Sequence, residues 1–99
     1  MEIKIKQDKN TKTINILGEI KLFEIEKLEK EFQDIEGFAE IRINLSKVKY
    51  ADSSLLNLII RIKRKYPDKK IKIFNPNNYV SELLNVSGIE HIIEIIYSK

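Results

Sequence analysis

Between Ile41 and Ile62 the apolar period of the chain lengthens from two residues to between three and four, and this change constrains the fold more than any other feature. Ile41, Ile43 and Leu45 alternate with Arg42 and Asn44, and Val48 and Tyr50 follow, which predicts a short strand running into a connection. Leu55, Leu56, Leu58, Ile59, Ile60 and Ile62 then cover a wide arc of a helix, with Ser54, Asn57, Arg61 and Arg64 opposite. The junction is Asp52-Ser53-Ser54. Asp52 or Ser53 can accept a hydrogen bond from the unpaired amides of the first turn, and a carboxylate there meets the positive end of the helix dipole. Capping alone is a sufficient reason for these polar residues.

The flanking segments repeat the two periods. Ile3 and Ile5 alternate with Glu2, Lys4 and Lys6. Turn residues Gln7-Asp8-Lys9-Asn10 follow, and Thr11 to Leu17 alternates again through Ile14 and Ile16, so a hairpin is expected. Gly18 is expected to end it, at a positive φ or a bulge. Leu22, Ile25, Leu28, Phe32 and Ile35 recur at helical steps and predict an amphipathic helix, with Gly37 as a left-handed C-cap closed by Phe38. Pro67 ends the central helix. Ile71, Ile73 and Phe74 predict a strand ending at Asn75-Pro76, and Val80, Leu83 and Leu84 a short helix capped by Gly88, with Ile89 packing back. Ile92, Ile93, Ile95 and Ile96 read as a last strand, with a helical segment as the alternative. The whole is an α/β chain, ββαβαβαβ: one domain over residues 1–99, with a mixed, mostly parallel sheet and flanking helices. The Asp52-Ser53 turn then lies at the carboxyl end of a strand, where open α/β sheets place functional loops.

Composition narrows the chemistry. At 42% apolar content, 99 residues suit one small core. No run of about 18 apolar residues and no basic-then-apolar leader is present, so a cytoplasmic protein without membrane insertion is expected. The absence of Cys removes disulfides, thiolate nucleophiles and Cys-based metal sites, and the one His, His91, has no company for a ligand set. No phosphate loop, dinucleotide fingerprint or H-E-x-x-H occurs, so neither a cofactor nor an enzymatic activity is expected. Lys63, Arg64, Lys65, Lys69, Lys70 and Lys72 suit the negative end of a helix, and no array of stacking aromatics accompanies them, so a nucleic-acid partner is not expected. The net charge of +3 is modest.

The run L-S-K-V-K-Y-A-D-S-S-L-L-N-L-I-I-R-I-K, with the later K-I-K-I-F-N-P-N-N-Y-V-S-E-L-L-N-V-S-G-I, resembles the STAS domain family of bacterial anti-sigma factor antagonists. That family carries a D-S-S/T-G-L-G turn, a later N-P-x-x-x-V-x-x-L-L-x-x-x-G-I segment and a G-E-L-D, to which Gly18-Glu19-Ile20 is similar. The resemblance covers nearly the whole chain. It implies that Ser53 is a phosphate acceptor, with Ser54 second to it, and that the partner is an anti-sigma factor with serine kinase activity. Leu55 and Asn57 replace the family's two glycines, Lys21 replaces the acidic residue of G-E-L-D, and only Tyr97-Ser98-Lys99 follow the last strand where the family usually has a helix.

Helical spacing adds a surface. Ser53, Asn57, Arg61 and Arg64 advance by four, four and three residues and form a stripe away from the core, bordered by Leu56 and Ile60. With Ser54 these residues are the expected partner contacts, and a solvated stripe beside a core edge is the alternative. Two functions follow from the resemblance. One is a phosphoprotein that regulates transcription by partner switching at Ser53. The other is a non-phosphorylated STAS scaffold or accessory subunit bound to another protein, such as an ABC transporter ATPase. Monomer and dimer are both open.

Overall fold

The five strands form one sheet in the order of the sequence: β1 (Glu2–Gln7), β2 (Thr11–Ile20), β3 (Glu40–Ala51), β4 (Lys70–Phe74) and β5 (Glu94–Ile96). A computed structural model describes residues 1–98, so Lys99 lies outside the described residues. β1 runs antiparallel to β2, and every later neighbour pair is parallel. Ile14 is opposite Ile43, and Ile43 opposite Ile73, so these buried side chains line up on one face. The helical connections cover that face. Thr13, Arg42 and Lys72 lie in register on the other, which remains open.

Local chemistry sets the turns. Asp8 accepts hydrogen bonds from the Asn10 and Thr11 amides at 3.0 and 2.9 Å and closes the hairpin. Gly18 has φ 97 and sits at a register shift, as its sequence context implies, but it does not end the strand, which continues to Ile20. β3 has 12 residues and β2 has 10, and the two extra residues fall at shifts opposite Asn15–Leu17 and Gly18–Glu19. Ser46 and Lys47 therefore interrupt the alternation within one continuous strand rather than ending it.

The first helical connection departs from expectation. A 3-10 turn at Leu22–Glu24 leads into the short helix α1 (Ile25–Glu29), and a second 3-10 turn follows at Lys30–Phe32. Ile25, Leu28, Phe32 and Ile35 are buried, but Leu22 is 69% exposed. Gly37 does not adopt a left-handed cap. Positive φ among the described glycines belongs to Gly18 and Gly88. Two lysines instead bind carbonyls along this connection. Lys12 Nζ donates to the Glu31 carbonyl at 2.6 Å, and Lys69 Nζ donates to those of Ile35 and Phe38 at 2.7 and 2.5 Å. Phe38 still packs against the core.

Helix α2 (Ser53–Lys65) buries Leu55, Leu58, Ile59 and Ile62 against the sheet. Asn75 turns the chain after β4 at φ 54, and buried Pro76 follows. Helix α3 (Asn78–Ser87) then ends at Gly88, whose φ of 76 makes the expected left-handed cap. Ile89 packs back, 2% exposed, in a 3-10 turn that runs to His91. β5 is shorter than the isoleucine cluster, because the chain is still turning at Ile92 and pairs with β4 only from Glu94.

Candidate functional site

The ends of β2 and β3 arrive together, with Ile20 opposite Ala51 and the Asp52 amide donating to the Ile20 carbonyl at 3.0 Å. Asp52 is extended, with φ −99 and ψ −178, and is the N-cap of α2. Its Oδ1 accepts from the Ser54 amide at 2.9 Å and also from the Ser54 hydroxyl. Its Oδ2 accepts from the Leu22 amide at 3.0 Å. One carboxylate thus closes the first turn of α2 and fixes the turn that follows β2. Burial works to raise the Asp52 pKa, but the hydrogen bonds from Ser54 and Leu22 outweigh it and hold the carboxyl below its ordinary value.

The two serines have different environments. Ser54 is 6% exposed and turned inward onto Asp52, not outward with Asn57 as the helical arc had implied. Ser53 is the first residue of α2 and is exposed, and no hydrogen bond reaches its hydroxyl among the described residues. Asn57, Arg61 and Arg64 are exposed on the same helix, and Leu56 and Ile60 are half-buried against the core, so the stripe exists as a geometric feature. Its two guanidinium groups are not equivalent. Arg61 reaches across to Glu29 of α1 at 3.3 Å, whereas Arg64 has no carboxylate within ion-pair distance among the described residues.

Several residues at this end of the sheet escaped the sequence reading. Phe23 is 81% exposed and, with Leu22, puts apolar surface on the turn that Asp52 holds. Leu22 has the spacing of the core arc but not its burial. Phe23 lies off that arc, and an aromatic off the arc beside the polar turn was the available signal. Tyr50, near the end of β3, stacks on Tyr79 of α3 with ring centroids 5.3 Å apart. Asn77 ties these elements together. Its Oδ1 accepts from the Val80 amide at 2.8 Å, and its Nδ2 donates to the Val48 carbonyl at 3.1 Å. The N-P-N-N segment is therefore an architectural joint. Lys21 pairs with Glu19 at 2.9 Å, which lowers the Glu19 pKa and raises that of Lys21. His91 is exposed and lies 3.6 Å from Glu90.

No helix is long and apolar enough to cross a membrane among the described residues. Residues 3–96 match the family model described as "Mlab, STAS domain". No curated protein matches the chain. Among solved structures, the fold is similar to SpoIIAA in its unphosphorylated form, with TM-score 0.85 and 16% identity over 99% of this chain and 89% of that one. It is similar to an anti-sigma factor antagonist from Mycobacterium paratuberculosis, with TM-score 0.87 and 14% identity over 99% and 86%. It is also similar to Bacillus SpoIIAA in its phosphorylated form, with TM-score 0.77 and 15% identity over 99% and 92%. At these identities the likeness is one of fold.

Proposed function

This chain belongs to the STAS domain family, and we propose that it is a partner-switching regulator of the anti-sigma factor antagonist kind, read through Ser53. The observation that supports this most is the contrast between adjacent hydroxyls: Ser53 is exposed and unbonded at the start of α2, while Ser54 is buried and engaged with Asp52. In this reading the unmodified protein binds a cytoplasmic anti-sigma factor with serine kinase activity. That kinase transfers the γ-phosphoryl group of its ATP to Ser53 Oγ, which releases ADP and the hydroxyl proton and ends the binding.

The physical basis is charge at a dry contact. Phosphate adds about −1.5 to −2 charges beside Asp52. The α2 amides favour the anion and Asp52 repels it, so the fold changes little. A partner that covers the free hydroxyl would instead have to desolvate a dianion, at a cost on the order of several kcal/mol unless it supplies cations. Leu22 and Phe23 on one side and the Asn57 and Leu56 edge of α2 on the other supply contact area around Ser53.

Mass spectrometry after incubation with the cognate kinase and ATP tests the reading. One phosphoryl group on the wild type and none on Ser53→Ala is expected. No gain, or equal gain on both, rejects it. Leu55 favours a second reading. It replaces a family glycine, is 1% exposed, and sits in a regular first turn of α2, so a STAS subunit that is never phosphorylated is the alternative. Specific capture of an ABC-type ATPase, with no phosphoryl transfer to Ser53, would select it.

A further inference from the structure

At the far end of α2, a cleft of about 620 Å³ opens between that helix and the end of α3. Ile60, Lys63 and Arg64 form one wall, and Gly88, Ile89 and Ile92 the other. Two features distinguish it from an ordinary solvated seam. Its lining holds cations and no carboxylate. An apolar side chain also stands open in it, with Ile92 47% exposed. Lys63 Nζ is held over the Pro67 and Lys69 carbonyls at 3.1 and 3.3 Å, and Arg64 has no anionic partner among the described residues.

We propose that this cleft seats an acidic amphipathic helix of a protein partner, with apolar side chains against Ile60 and Ile92 and a carboxylate on Arg64. A trough between two helical elements takes a third helix through anchors at three- and four-residue spacing. A guanidinium at its edge binds a carboxylate bidentately. A small molecule would need convergent polar groups in the lining, and Ile60, Ile89 and Ile92 are apolar. The cleft takes in the far end of the α2 stripe that begins at Ser53, and Arg64 lies roughly 16 Å from Ser53 along the helix axis at 1.5 Å per residue. A partner spanning both would hold its grip at the cleft while the contact at Ser53 is made and broken.

The probe is a helical peptide with Leu at three- and four-residue spacing flanked by Glu, titrated into the full chain and followed by amide chemical shifts. The charge-reversed peptide, with Lys for Glu, and phosphatidylglycerol vesicles are compared with it. The Glu peptide should shift Ile60, Arg64 and the 88–92 amides, bind at least about tenfold more weakly to Arg64→Glu, and bind Ser53→Glu as it binds the wild type. The Lys peptide should prefer Arg64→Glu. Equal binding of both peptides to the wild type, no shift with the Glu peptide, or Arg64-dependent binding of the vesicles alone would overturn the proposal. Arg64 is exposed, so its replacement leaves the core intact, and the unchanged dispersion of distant amides checks this.

Discussion

The carboxylate of Asp52 holds the Leu22 amide at 3.0 Å with one oxygen and the Ser54 amide at 2.9 Å with the other, joining two turns that are 30 residues apart in sequence. Asp52→Ala removes an N-cap and leaves the Leu22 amide without its acceptor. A loss of about 1–2 kcal/mol is expected by urea unfolding, with Asp52→Asn costing less because Asn caps nearly as well.

The same carboxylate makes stability depend on acid. Its folded pKa lies below the ordinary carboxyl value of the unfolded chain, so between the two the unfolded chain binds more protons than the folded one. The stabilisation is complete above the unfolded pKa and lost as pH falls through the folded one. Glu40, held low first by Arg42 and then by Lys72 against the opposing effect of burial, adds in the same direction. Urea midpoints measured downward from neutral pH should fall through the carboxylate range, and Asp52→Asn should flatten the curve.

Lys69 ties the chain after the first helical connection to the turn before β4 through its ammonium. Lys69→Met leaves the Phe38 carbonyl without its donor and the Ile35 carbonyl with only the Phe38 amide, and should cost about 1–2 kcal/mol. Lys70→Met, one residue on and exposed, should fall within about 0.5 kcal/mol of the wild type in the same unfolding measurement.

Phe23 has no role in the core. Phe23→Ala should leave the unfolding midpoint unchanged and weaken partner binding at least about tenfold, as a central aromatic anchor does. Isothermal titration against the captured partner gives the number. An unchanged affinity would move the docking surface off the β2–α1 turn.

Much of this was legible in the sequence where one period governed. The alternation of Ile14, Ile16, Ile41 and Ile43 and the helical arc of Leu55, Leu58, Ile59 and Ile62 give the sheet and its central helix directly, because each burial pattern has a single source. The losses occur where two demands compete. Leu22 has core spacing, but Asp52 holds its backbone in a turn that points it outward. Ser54 falls on the polar arc, but its hydroxyl is drawn inward to the same carboxylate. Gly37 follows a helical pattern that breaks into 3-10 turns, so lysines from β2 and from the turn before β4 close it through contacts with no local signature. The tie between Asp52 and Leu22 belongs to this class. The cap at Asp52 was readable, and the exposed apolar pair Leu22 and Phe23 beside it was not.

The central claim is that one exposed hydroxyl carries the switch, and partner affinity measured before and after stoichiometric phosphorylation tests it most directly. The account predicts tight binding of the unmodified chain, at least about a hundredfold weaker binding once Ser53 carries phosphate, and unaltered tight binding by Ser53→Ala in the presence of kinase and ATP. Equal affinity of the two forms would contradict it.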